Sequence, residues 1–144
     1  MDLTIVRSQW QRGSREDSYL LNPYSGMMCC LGFYCRALGV DPAVIQGREA
    51  PSQVAAAIPE SGKWLLSPGV QILSGDEVIP TETAGTKPTD GVDCANLMKI
   101  NDALAGEEVE LEDQDFIDRV SETVRETTIA SIFATHGVTV TYVD

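Results

Sequence analysis

Ile132-Phe133-Ala134-Thr135-His136-Gly137-Val138-Thr139-Val140-Thr141-Tyr142-Val143 contains a change of period. Upstream of Gly137, residues Ile117, Val120, Val124, Thr128 and Ile132 fall within one broad helical face. Asp113 or Asp115 can cap that helix, and Asp115 and Arg119 stand at i, i+4 in the favourable order. The predicted helix runs to about His136, where Gly137 is placed to end it. Val138 to Val143 then alternates and is rich in β-branched residues, which reads as a strand. Leu3 to Val6 reads as a strand at the other end, so pairing of the two is the economical arrangement. Elements of mixed type without a regular βαβ alternation give an α+β class. The expected architecture is a small antiparallel sheet that includes the N- and C-terminal strands. It packs against several helices, one of them long and C-terminal. The length of 144 residues suits one compact domain over 1–144.

Between these ends the punctuation is uneven. Trp10 to Ser14 reads as a turn, Tyr19-Leu20-Leu21 as a short strand, and Asn22-Pro23-Tyr24-Ser25-Gly26 as a tight turn, which together predict a hairpin into Met27. Cys29 to Leu38 reads as a buried helix ended by Gly39. Asp41-Pro42-Ala43 has the pattern of an N-cap with proline at the first helical position. Pro51 to Ile58 reads as another short helix, and Lys63 to Leu66 and Val70 to Leu73 as short strands. Thr81 to Asp90 reads as a surface loop, and Asp93 as the cap of a helix from Cys94 to about Ala103.

The formal net charge is −12, from 22 acids against 10 lysines and arginines. That balance argues against a general nucleic-acid binder and against docking on an anionic membrane. The charge is unevenly placed. Residues 1–63 carry six acids and six bases, whereas residues 64–144 carry sixteen acids and four bases. From Asp102 to Asp118 there are eight acids and no base. Glu107, Glu108, Glu110, Glu112 and Asp113 form its centre, a surface suited to a basic partner. The start of the chain has no basic segment followed by an apolar one, and the longest apolar stretch, Met27 to Cys35, is too short to span a membrane. A cytoplasmic setting with free, buried thiols at Cys29, Cys30, Cys35 and Cys94 is the resulting expectation.

No catalytic constellation stands out. Cys29-Cys30 lies among Met27, Met28, Leu31 and Phe33, an apolar setting that raises a thiol pKa. Cys30, Cys35, Cys94 and His136 make a nominal four-ligand set, but Cys94 and His136 are isolated, and no metal or cofactor is expected. Asp93-Cys94-Ala95-Asn96 slightly resembles the nucleophile surroundings of NlpC/P60-type peptidases, with His136 following in order. It departs from that pattern at Ala95-Asn96, and the helix expected before His136 replaces the family's strand. Cys94 and His136 are therefore the catalytic alternative, without an identifiable third group. Trp10, Arg12 and Arg15 are the candidate ligand-binding residues, because an indole and forked guanidinium donors suit a small anion. Ile100-Asn101-Asp102 reads as a cap or turn after the Cys94 helix.

Several blocks together resemble small phage and prophage proteins of unknown function. They are Trp10-Gln11-Arg12-Gly13, Gly26-Met27-Met28-Cys29-Cys30-Leu31-Gly32-Phe33, Ile100-Asn101-Asp102 and the ending from Ile132 to Asp144. The resemblance implies a phage-encoded accessory protein in the host cytoplasm, with no transferable catalytic residue. The expected function is binding: sequestration or inhibition of a host factor, one of antiviral defence among them, or of a small anionic signal by an oligomer. A cysteine hydrolase and a minor virion or assembly protein are the alternatives.

Overall fold

The computed structural model describes residues 1–14, 18–66, 71–74, 77–80, 90–105 and 119–144. In chain order the elements are β1 (Asp2–Val6), α1 (Cys30–Ala37), α2 (Pro42–Ile45), β2 (Gln71–Ser74), β3 (Glu77–Pro80), α3 (Val92–Asp102), β4 (Leu104–Ala105), β5 (Arg119–Val120), α4 (Glu122–Ala134) and β6 (Thr139–Val143). Tight 3-10 turns cover Arg7–Gln9, Pro51–Ala57 and Glu60–Leu65. The mixed class is as expected.

The terminal strands do pair, with Leu3 opposite Val140 and Ile5 opposite Tyr142, but the pairing is parallel. This corrects the expected antiparallel sheet. A parallel pair needs a long crossover, and here nearly the whole chain lies between the two strands. The direction of β6 is then set by the turn at the end of α4, where Gly137 takes a positive φ of 75°. Leu3 and Ile5 point inward and are almost wholly buried. The antiparallel pairing found is that of β2 with β3, away from the chain ends.

α1 is buried on nearly every side, from Cys30 through Cys35, which is the pattern of a central rather than a surface helix. Gly32 lies on it where a Cβ would collide with the Leu20 carbonyl and reach 3.0 Å from the Met28 Cβ. The cysteine block is thus a packing surface for the preceding loop. That loop is not the expected hairpin. Asn22 N–H bonds the Met27 carbonyl and Gly26 N–H the Asn22 carbonyl, closing a turn, while Tyr19–Leu21 forms only an isolated bridge from Leu21 to Gln46.

The C-terminal helix is shorter than expected. Ser121 caps it by accepting from Val124 N–H, and Arg119–Val120 pairs in parallel with Leu104–Ala105. Arg119 lies in that strand, and the other members of the expected helix start, Asp113, Asp115 and Ile117, lie outside the described residues. The buried stripe of α4 is Arg125, Ile129 and Phe133, one position on from the expected face, with Val124 and Ile132 at its edge. A charged residue at the first position of the stripe hid its phase. Of Lys63–Leu66, expected as a strand, Lys63–Leu65 ends the 3-10 turn and Leu66 is its extended C-cap.

The buried apolar residues make one contiguous cluster that joins β1, α1, α3 and α4. Tyr34, Trp64 and Phe133 meet in it with ring centroids 5.1–5.9 Å apart. Full burial of a phenylalanine such as Phe133 contributes about 1.5–3 kcal/mol. Among the described residues no helix is long and apolar enough to cross a membrane.

Candidate functional site

Three of the sequence blocks meet at one buried side chain, Asn101, in the last turn of α3. Its Oδ1 accepts from Trp10 Nε1 at 2.8 Å and from Cys30 N–H at 3.0 Å. Its Nδ2 donates to the Gln11 carbonyl at 3.1 Å and to Asp102 Oδ1 at 3.0 Å. The Asn101 carbonyl accepts from Gly13 N–H and from Arg125 Nη1. A neutral amide is the one short side chain that offers two acceptor and two donor positions together. Every one of those positions is used, so this node is a structural tie.

Arg125 completes it. The side chain is fully buried, with Nη1 bonded to the Ile100 and Asn101 carbonyls and Nε to Glu122 Oε1 at 3.2 Å. Burial pulls its pKa down, countered by Glu122. Asp102, beside it, has its carboxyl pushed up by burial, against hydrogen bonds from Ser18 and Asn101.

This placement changes the reading of the N-terminal ligand residues. Trp10 is 1% exposed, and the Arg12 guanidinium covers its ring at 4.3 Å. Trp10 therefore offers no free stacking face. Arg12 Nε is bonded to Glu122 Oε2 at 2.8 Å, and its Nη1 to the carbonyls of Arg7 and Trp10. Arg7 makes a two-pronged bond to Glu126 and a further bond to Asp144. Arg15, and the partner-binding residues Glu107, Glu108, Glu110, Glu112 and Asp113, lie outside the described residues.

The second cluster is half-exposed. Gly91, with φ of 91°, turns the chain into α3 while its N–H bonds the Trp64 carbonyl at 2.8 Å. That contact sets Asp93, in the first turn of α3, next to His136 beyond the end of α4. His136 Nε2 lies 2.7 Å from Asp93 Oδ2, and the imidazole stacks on Trp64 at 3.7 Å and 5°. Trp64 Nε1 donates to Tyr34 Oη at 3.0 Å, which fixes the indole. An imidazole oriented by a carboxylate is one half of a general-base arrangement. The other half is not supplied by Cys94. That thiol lies in the core and is pushed up to about 12 by burial, and His136 is bonded to Asp93 instead. Cys29 and Cys35 are pushed up to about 12 in the same way, and Cys30 also rises. All four thiols are free and buried. Among the described residues no group of three or more His, Cys, Asp and Glu is placed to hold a metal ion, so Cys30, Cys35, Cys94 and His136 do not assemble as ligands.

Sequence reading missed the roles of Asn101, Arg125 and Trp64. The only local signals were a helix-ending Asn and an Arg in register with Ile129 and Phe133. Compared with protein-family models, curated proteins and solved structures, the chain finds no match.

Proposed function

We propose that this protein is a phage-encoded accessory protein that acts by binding, engaging a basic host protein through its acidic stretch. The observation that carries this reading is the run from Asp102 to Asp118, with eight carboxylates and no base. Such a run raises association rates with a cationic surface and makes them salt-dependent. Two features of the fold favour it over the other readings. Arg7 and Arg12 are engaged by carboxylates of the same chain and Trp10 is enclosed, so the N-terminal trap for a small anion has no free stacking ring. The thiols are buried and hard to ionise, which weakens the cysteine-hydrolase reading. Antiviral defence factors of the host are the class of target that the phage resemblance brings forward.

The test is a crosslinked pull-down from host lysate at two salt concentrations. The chain is compared with a variant in which Glu107, Glu108, Glu110, Glu112 and Asp113 are all glutamine. Loss of a basic partner from the variant, and weaker capture at high salt, is the expected result. An unchanged partner list overturns the proposal.

A further inference from the structure

A short groove lies between α2 and the 3-10 turn Pro51–Ala57, far along the chain from the acidic run. Its volume is about 340 Å³, at the lower end of the roughly 300–1,000 Å³ typical of ligand sites. Val54 forms part of its floor and Val44, 39% exposed, stands on its rim, with exposed alanines along the far side. The bed is therefore aliphatic and shallow.

Among the described residues that line the groove, the polar side chains are Arg48 and Gln53, and both present donors. Arg48 is exposed, and among the described residues its guanidinium makes no hydrogen bond or ion pair, unlike those of Arg7, Arg12 and Arg125. The Arg48 backbone is nonetheless fixed: its N–H bonds the Ile45 carbonyl and its carbonyl accepts from Leu20 N–H at 2.7 Å. Gln53 spends its amide oxygen on the N–H groups of Glu49 and Ala50, so its free group is the NH₂ donor. Among the described residues no carboxylate lines the groove. Asp41 and Glu49, close in sequence to the groove residues, are committed elsewhere. Asp41 caps α2 through Ala43 N–H, and Glu49 faces the small cavity beside Ser18 and Asp102.

An aliphatic bed with donors alone at one side matches a carboxylate directly attached to an aliphatic group. A volume of about 340 Å³ is room enough for the end of a polypeptide. We infer that this groove binds the C-terminal residue of a partner polypeptide. An aliphatic side chain lies on Val44 and Val54, and the terminal carboxylate meets Arg48 and Gln53.

The experiment is amide chemical-shift titration of the full chain with N-acetyl-Gly-Ser-Gly-Val-Leu bearing a free C-terminus. The same peptide with a C-terminal amide, and hexanoate, are the comparison probes. Saturable shifts confined to residues 42–57 are expected, with the amidated peptide and hexanoate each at least fivefold weaker. Arg48→Gln weakens the acid peptide about tenfold, as loss of a charge-assisted hydrogen bond does, and leaves the amidated peptide unchanged. Val44→Asp abolishes both. Both positions are exposed, so folding is preserved, and Arg48→Lys restores part of the affinity. No saturable shift at millimolar peptide overturns the proposal. Equal binding of the amidated peptide, an internal-segment mode, overturns it, and so does hexanoate binding as tight as the peptide.

Discussion

Replacing Asn101 with alanine tests the central tie of the fold. The substitution removes the acceptor of two buried donors, Trp10 Nε1 and Cys30 N–H, and the donor to Gln11 and Asp102. An orphaned buried donor costs about 1–3 kcal/mol. Two of them, with the lost bond to Gln11, give a loss of about 3–5 kcal/mol for Asn101→Ala. Folded domains are stable by only about 5–15 kcal/mol, so this variant sits close to unfolding at room temperature. The assay is urea unfolding followed by tryptophan fluorescence, with slope m checked for two-state behaviour. Trp10→Phe supplies the partner for a double-mutant cycle, since it deletes one of the two orphaned donors. Its cost in the Asn101→Ala background is expected to be lower than in the native protein by about 1–2 kcal/mol. A loss below about 1 kcal/mol for Asn101→Ala, or strict additivity with Trp10→Phe, refutes the assignment of Asn101 as the tie.

Further consequences follow from the same contacts. Gly32→Ala forces a methyl group into the Leu20 carbonyl, and calorimetry is expected to show a loss of at least about 1–3 kcal/mol. The core thiols should resist reagents: with Cys94 pushed up to about 12, its labelling at pH 8 is expected to be roughly a thousandfold slower than a free thiol. Rapid labelling of Cys94 in the native protein would revive the cysteine-nucleophile reading. Asp102 is raised by burial, so the native state holds its proton to higher pH than the unfolded chain, and stability falls as pH rises from the ordinary value of 3.8 through the raised one. Asp102→Asn removes that falling segment from the pH–stability curve. Glu126, lowered chiefly by its hydrogen bond from Arg7, acts with the opposite sign: its contribution is present above its ordinary value of 4.5 and fades as pH drops. Glu126→Gln is expected to flatten the acid limb.

Local chemistry made some elements legible and left others hidden. Asp41-Pro42, Gly39 and Gly137 specify their own neighbourhoods, and α2 and the ends of α1 and α4 fall where they indicate. β1 and β6 were readable because alternation is a property of the strand itself. Their relative direction was not, because it depends on how the intervening chain returns. The phase of α4 failed for a different reason. Arg125 reads as a solvent-facing residue until the carbonyls of Ile100 and Asn101, twenty-odd positions upstream, are known to meet it. The same holds for the Asp93–His136–Trp64 cluster, whose members come from three separate elements. Trp10 and Arg12 looked like a ligand site because indole and guanidinium suit one, yet they satisfy each other and Glu122.

The sequence blocks that meet at Asn101 therefore divide from the feature that carries the proposed function. Trp10-Gln11, Cys29-Cys30 and Ile100-Asn101-Asp102 converge on one buried node, through the side chains of Trp10, Asn101 and Asp102 and the backbone groups of Gln11 and Cys30. The charge balance divides along the same line. Arg7, Arg12 and Arg125 are matched by Glu122, Glu126 and Asp144 around that node. These internal pairs consume no carboxylate from Glu107 to Asp118. The acidic stretch from Glu107 to Asp118 lies in sequence between β4 and β5, which pair in parallel. If that stretch acts by charge and takes no part in the node, neutralising it should change partner capture and leave the unfolding free energy within about 0.5 kcal/mol of the native value. A variant that loses stability and binding together would mean instead that the acids belong to the node.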